Sequence, residues 1–252
     1  MPPAWAEPDG PVAVVTGAAS GIGRAIALRL RDDGIDVVAV DLDEQGLSAL
    51  PHERLTTVVA DVATAGGRSS IGTAVGGSLD YLVNAAGVLR FGPLPNVTEA
   101  DWRHVFAVNV EGLFFLSQLL APRLRSGGAI VNVASMAAKT SEADFAAYSA
   151  SKAAVLSVTR SLAFELSPRR IRVNSVSPGI IDTPMQDVFL PELARQAGLA
   201  PEEFQAQRVA TVPLRRVGTP EDVAAVVAFL LSPDAGYVTG EDINVSAGLV
   251  TW

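Results

Sequence analysis

The chain contains no cysteine, which excludes disulfides, a thiol nucleophile and thiolate-bound metals and suits a reducing compartment. Histidine is scarce too. His52 and His104 stand too far apart in sequence to suggest a metal site, so no metal is expected. Basic residues are outnumbered, 19 Lys and Arg against 27 Asp and Glu, and a formal charge of −8 without any basic run would repel a phosphate backbone. Nucleic acid is therefore not an expected partner. Apolar runs such as Ala224–Leu231 fall short of the roughly 20 residues that a helix needs to span a bilayer, so no membrane span is expected. Residues 1–10 lack the basic and apolar regions of a signal peptide and read as a loose arm, and a cytoplasmic protein is expected.

What remains is rich in core-forming residues. Hydrophobic residues make up 49% of the 252 positions and charged ones 18%, the balance of an ordered chain large enough to bury a sizeable core. Short β-branched runs recur at Val12–Thr16, Val37–Asp41, Thr57–Asp61, Leu79–Asn84, Ala129–Ser135, Arg172–Ser177 and Asp242–Val245. Stretches with helical spacing lie between most of them, including Ile22–Arg31, Glu99–Leu124, Ala146–Leu166 and Glu221–Leu231. This alternation predicts an α/β fold in which helices cover a parallel sheet of about seven strands. Thr98 and Asp101 resemble a capping box, Pro220 marks a helix start, and Gly66–Gly77 reads as a weakly formed helix. Without a linker or repeat, residues 11–252 read as one domain. The stretch from Pro178 to Thr219 leaves the strand–helix rhythm and is a candidate lid.

Ligands of such sheets bind beyond the carboxyl ends of the strands, which points to Thr16, Asp41, Asp61, Asn84, Ser135 and Ser177. Thr16-Gly17-Ala18-Ala19-Ser20-Gly21-Ile22-Gly23 joins the first strand to the first helix. Its glycines allow a sharp turn and close approach of a pyrophosphate to the helix N-terminus, although an ordinary glycine-rich turn would look similar. Asp41 follows Gly23 by eighteen residues, where a carboxylate can accept ribose hydroxyls; alone it would read as a solvated strand end. The same charge repels a 2′-phosphate, and Ala19, Ser20 and Leu42 offer no compensating cation, so NAD is preferred over NADP. Tyr148 and Lys152, four apart, share one helix face. A nearby ammonium favours the phenolate and makes Tyr148 a candidate general acid/base, with the Ser135 hydroxyl placed to bond the reacting oxygen.

Taken together, Thr16–Gly23, Asn84-Ala85-Ala86-Gly87, Asn109, Ser135, Tyr148-Ser149-Ala150-Ser151-Lys152 and Ser177-Pro178-Gly179 resemble the short-chain dehydrogenases/reductases, over residues 12 to about 248. The resemblance implies a single-domain Rossmann fold, a homotetramer, and a catalytic tetrad of Asn109, Ser135, Tyr148 and Lys152. It also implies that Lys152 holds the nicotinamide ribose and that Asn109 orders a water in a proton relay. Asp61 and Val62 would flank adenine; Asn84 to Gly87 would support the sheet beside the cofactor; Pro178, Gly179, Ile181 and Thr183 would border nicotinamide. The C-terminal Ser246-Ala247-Gly248 departs from the family's Asp-Gly-Gly. Trp102, Phe106, Phe114 and Phe115 fall on an apolar helix that in this family commonly meets another subunit. Asn84–Gly92 and Asp182-Thr183-Pro184-Met185-Gln186 are similar to segments of 2,3-dihydro-2,3-dihydroxybenzoate dehydrogenases, which places Met185 and Gln186 with Ser135 and Tyr148 among the substrate contacts. Glu142 stands where those enzymes carry an arginine, so a neutral or amine-bearing alcohol or ketone is expected rather than the cyclic dihydrodiol acid. A cyclic dihydrodiol dehydrogenase, a 3-oxoacyl reductase and a catalytically silent NAD-binding sensor are the alternatives.

Overall fold

Strand β1, Val12–Thr16, is buried on both sides, and its residues divide between two cores. Ala13 and Val15 join one hydrophobic cluster, Val12 and Val14 the other, as the two-residue period of a doubly covered strand requires. Strand β2, Asp36–Asp41, repeats the pattern, with Val37 and Ala39 on the first face and Val38 and Val40 on the second. The structure, a computed structural model, describes residues 10–140 and 143–252.

Five further strands complete the sheet: β3 Leu55–Val59, β4 Leu79–Asn84, β5 Leu124–Val133, β6 Arg172–Pro178 and β7 Asp242–Val245. All pair in parallel, in the order β3-β2-β1-β4-β5-β6-β7. This is a doubly wound, Rossmann-type sheet. Its order reverses direction between β1 and β4, which opens a crevice at their carboxyl ends.

Helix α1, Gly21–Asp32, and the short α2, Glu44–Ser48, cover the first face. Helix α3, Ala65–Val75, lies on the second, so the Gly66–Gly77 stretch does form a helix, started by Thr64 accepting the Gly67 amide. The Glu99–Leu124 segment is not one continuous α-helix. It divides into α4, Glu99–Phe106, a π-helical stretch, Ala107–Gly112, α5, Leu113–Leu120, and a 3-10 turn, Ala121–Arg123. Over Glu99–Arg123 it is long and apolar enough to cross a membrane, contrary to the expectation from the short runs, yet half of its most apolar window is buried inside the protein. The Thr98 hydroxyl caps α4 by accepting the Asp101 amide, as expected.

Helix α6, Ala146–Leu166, covers the second face with Leu162, Ala163 and Leu166. Then come α7, Pro184–Gln196, and α8, Pro201–Thr211, which occupy the excursion read as a lid. Its base is pinched: the Asp182 amide donates to the Gly218 carbonyl at 2.9 Å and the Gly218 amide to the Ile180 carbonyl at 2.9 Å. Helix α9, Pro220–Leu231, returns to the first face beside α1.

Two strand ends fall short of the sequence reading. Strand β3 stops at Val59, because the Asp61 carboxylate and carbonyl take the amides of Ala63 and Thr64 and turn the chain. Strand β5 stops at Val133, and Ser135 opens a 3-10 turn, Met136–Ala138, whose Ala137 amide donates to the Ser135 hydroxyl.

Candidate active site

A cleft of about 510 Å³ opens at the carboxyl edge of the sheet. The loop after β1 borders it and turns with Gly17 at φ 70°. A Cβ there would stand 2.9 Å from the Ala86 backbone, and one at Gly23 would stand 2.0 Å from the Gly17 carbonyl oxygen. Bare backbone is therefore required at both positions. Thr16 ties this loop to the next strand, its hydroxyl accepting the Ala85 and Ala86 amides at 3.1 Å each. Ser20 occupies the cap position of α1 without a side-chain cap bond, so the helix's first amides stay open to an anion.

The Asp41 carboxylate organises the neighbouring loop. One oxygen accepts the Ala19 amide at 3.0 Å, and the other accepts those of Leu42 at 2.7 Å and Asp43 at 3.1 Å. A carboxylate has about four acceptor sites, so capacity for a ribose hydroxyl remains. These features fit a dinucleotide, and Gly17, Ser20, Gly21, Ile22, Gly23, Asp41, Leu42, Asp61 and Val62 all border the cleft. Ala85, Ala86, Gly87, Pro178, Gly179, Ile181 and Thr183 border it too, and Thr183 stands against Gly21 of the loop.

Ser135, Tyr148 and Lys152 all border the cleft. The Ser135 hydroxyl stands near enough to the Tyr148 phenol to favour its ionised form. Lys152 Nζ donates to the Val133 carbonyl at 2.8 Å and sits 5.7 Å from the centre of the Tyr148 ring. Burial holds the Tyr148 phenol above its usual pKa of 10.0 and outweighs the lowering by the nearby Ser135 hydroxyl, whereas the sequence predicts a net lowering. Burial also pulls the lysine down to about 8, and its ammonium is directed at a carbonyl rather than at the phenol oxygen.

Asn109 lies behind the cleft wall, in the π-helical stretch, and is buried. Its Oδ1 accepts the Val88 amide at 2.8 Å, and its Nδ2 donates to the Val88 carbonyl and the Ser151 hydroxyl at 3.0 Å each. Ser151 in turn donates to the Tyr148 carbonyl at 2.7 Å. The Asn109 side chain thus joins Val88, which borders the cleft, to the helix that carries Tyr148. Asn84 does not border the cleft; it donates to Ser117 and Asn132 at 3.1 and 2.9 Å, while its buried Oδ1 has no hydrogen-bond partner among the described residues.

Met185 and Gln186 border the cleft. Gln186 Nε2 donates to the Ile181 carbonyl at 2.7 Å, which fixes the start of α7. Glu142 and residues 1–9 of the N-terminal arm lie outside the described residues. Several cleft residues escaped the sequence reading, among them Leu89, His104, Phe145, Phe189 and Arg208. Leu89, Phe145, Tyr148 and Phe189 form a small core of their own, with the Phe145 and Phe189 rings edge to face at 5.4 Å. Arg208 lies over Phe189 at 5.7 Å and donates to Gln186 Oε1 at 2.8 Å and Gln205 Oε1 at 3.0 Å. Only the position of Phe145, three residues before Tyr148, offered a clue in sequence. No cluster of metal-binding side chains occurs among the described residues.

A family model described as enoyl-(acyl carrier protein) reductase matches residues 17–250. The 3-oxoacyl-[acyl-carrier-protein] reductase of Thermotoga maritima is 38% identical over 96% of this chain and 98% of its own. The D-threitol dehydrogenase of Mycolicibacterium smegmatis is 36% identical, over 95% and 93%. Among solved structures, an actinorhodin polyketide ketoreductase with NADPH superposes with a TM-score of 0.91 at 33% identity, covering 97% of this chain and 98% of that one. The 3-ketoacyl-(acyl-carrier-protein) reductase of Brucella melitensis complexed with NADH gives 0.85 at 31% identity, over 95% and 98%.

Proposed function

Because this chain belongs to the short-chain dehydrogenase/reductase family, we propose that it is an NAD-dependent oxidoreductase acting on a secondary alcohol or ketone, with Tyr148 as acid/base. The observation that carries this reading is the meeting of Ser135, Tyr148 and Lys152 in the same cleft that the glycine loop and Asp41 border. Asp41 supports NAD over NADP, since the amides it already accepts hold a negative charge where a 2′-phosphate would stand.

Bound NAD would supply the hydride acceptor. The protein's part is proton transfer and orientation. The Ser135 hydroxyl donates to the substrate oxygen, and in oxidation Tyr148 acts as the phenolate, taking the alcohol's proton as the carbon-bound hydride leaves; in reduction the phenol gives that proton back. Burial raises the Tyr148 pKa, and the ammonium of Lys152, held 5.7 Å from the ring centre by the Val133 carbonyl, is the nearby positive charge that favours the phenolate. Asn109 and Ser151 fix the helix turn below Tyr148.

Leu89, Phe145 and Phe189 beside Tyr148 give the substrate end an apolar wall, which suits a neutral substrate body. The preference for a neutral or amine-bearing substrate also draws on Glu142. A cytoplasmic homotetramer is part of the proposal; exposed Phe164 on α6, Phe229 on α9, and Trp102 and Phe115 supply apolar surface for subunit contact.

A second reading, reduction of a 3-oxoacyl thioester, is favoured by the full-length likeness to the Thermotoga maritima reductase and by Arg208 at the cleft. The deciding experiment follows NADH absorbance over a panel of neutral secondary alcohols, amino alcohols, cyclic dihydrodiols and 3-hydroxyacyl thioesters. NADH formation with the first two groups is expected. Turnover confined to thioesters would favour the second reading, and silence with every substrate would leave a cofactor-binding sensor.

A further inference from the structure

Only two of the 19 basic residues are lysines, Lys139 and Lys152. Lys152 belongs to the candidate site. Lys139 does not border the cleft, yet its side chain is only 14% exposed and that of its partner, Asp242, 11%. The ammonium lies 2.7 Å from Asp242 Oδ2 and donates to Asn244 Oδ1 at 2.7 Å. Asp242 is held in turn by the Ser175 hydroxyl at 2.7 Å on Oδ1 and the Ser177 hydroxyl at 2.8 Å on Oδ2. This arrangement follows from the sheet. Asp242 and Asn244 are two residues apart on β7 and so share a face, and they pair in register with Ser175 and Ser177 on β6.

An exposed ion pair contributes little, but an enclosed one whose remaining acceptors are filled holds its members rigidly, and removing one partner strands the other. What hangs from each end of this pair gives it a role. Lys139 ends the turn that starts at Ser135, its amide donating to the Met136 carbonyl at 2.9 Å. Ser177 immediately precedes Pro178 and Gly179 in the wall of the cleft. A Cβ on Gly179 would stand 2.8 Å from Ser246, so the end of β7 presses directly on that wall. One cation thus links the segment carrying the Ser135 hydroxyl to the two strands that set the wall where nicotinamide is proposed to sit.

We propose that the Lys139–Asp242 pair is a positioning clamp that holds the Ser135 turn in register with the Pro178–Gly179 wall and thereby sets the hydride-transfer rate. The catalytic half of this inference rests on the oxidoreductase reading above; the clamp itself does not. Neither residue touches the proposed reacting atoms, so both act through Ser135 and the wall.

The test uses the full-length protein with Lys139→Met, Asp242→Asn, the double variant, and the milder Ser177→Ala in case the charge variants fold poorly. Hydrogen exchange in the ligand-free protein is the first readout. Amides 137–140 are expected to exchange at least about tenfold faster in Lys139→Met, with β1 and α1 unchanged. The second is single-turnover hydride transfer at saturating NAD and alcohol. Its rate constant is expected to fall about tenfold or more in each charge variant, and less in Ser177→Ala, with the amplitude kept. The double variant is expected to be no slower than the worse single one. A merely structural role would lower the amplitude and leave the rate constant alone. Unchanged exchange in the turn overturns the clamp, whatever the enzyme acts on. Faster exchange with an unchanged rate constant overturns its link to catalysis, while a wild type inert towards every alcohol overturns the oxidoreductase reading and leaves the clamp standing.

Discussion

Replacing Lys152 by Met is predicted to stabilise the ligand-free protein at neutral pH while destroying its activity. Lys152 is 4% exposed, and burial alone pulls its pKa from 10.5 to about 8. At about 1.36 kcal/mol for each pH unit, keeping the charge inside costs about 3 kcal/mol below pH 8. Met fills a similar volume without the charge, but it leaves the Val133 carbonyl without its donor, a loss of about 1–3 kcal/mol. The expected net gain is about 1 kcal/mol at pH 7. Between pH 8 and 10.5 the unfolded chain binds the Lys152 proton and the native chain does not, so wild-type stability rises with pH across that window. The variant has no such rise. Urea unfolding of both proteins at pH 7 and pH 10 should therefore show the advantage of Lys152→Met shrinking by about 2–3 kcal/mol and changing sign. Taking the difference between the two proteins cancels every other titration they share. A stability difference that is flat with pH, or a variant more strongly destabilised at pH 7 than at pH 10, would refute the argument that an active-site charge is held against its own solvation.

Asp41→Ala removes both the repulsion of a 2′-phosphate and an acceptor for the ribose, so the NAD to NADP ratio of kcat/KM should fall about ten- to a hundredfold, the worth of one charged hydrogen bond. Equal efficiencies in the wild type would contradict the assignment of NAD. The excursion that holds α7 and α8 is pinched at Ile180–Asp182 and Gly218 and is predicted to close over bound ligands; amides of Pro184–Gln196 should exchange at least about tenfold more slowly with saturating NAD and substrate. Protection that ligands leave unchanged would remove the lid from the account.

The sheet was legible because buried parallel strands write themselves as β-branched runs. Val12–Thr16, Leu79–Asn84 and Asp242–Val245 were read to the residue. The start of β5 was hidden, since Arg125, Ser126 and Gly127 are exposed and lack that signature, and continuous burial begins only at Gly128. The π-helical stretch around Asn109 left no trace either, because a change from four- to five-residue hydrogen bonding alters no residue type. At the site, the glycine loop, Asp41, Ser135, Tyr148 and Lys152 were legible from spacing along single elements. Phe189 and Arg208 were not, because the excursion that brings them to Phe145 carries no periodic link to it. The raised pKa of Tyr148 was missed for a related reason: it comes from burial, and the packing of Leu89 and Phe189 around the ring joins elements far apart in sequence.

The central claim is that Tyr148 exchanges the proton that accompanies hydride transfer. Tyr148→Phe keeps the ring packed against Leu89 and Phe189 and removes only the hydroxyl. With an alcohol from the panel that the wild type oxidises, the single-turnover rate of NADH formation should fall by about 10²–10⁴-fold while NAD binding is retained. A rate near that of the wild type, with NAD bound equally well, would contradict the account.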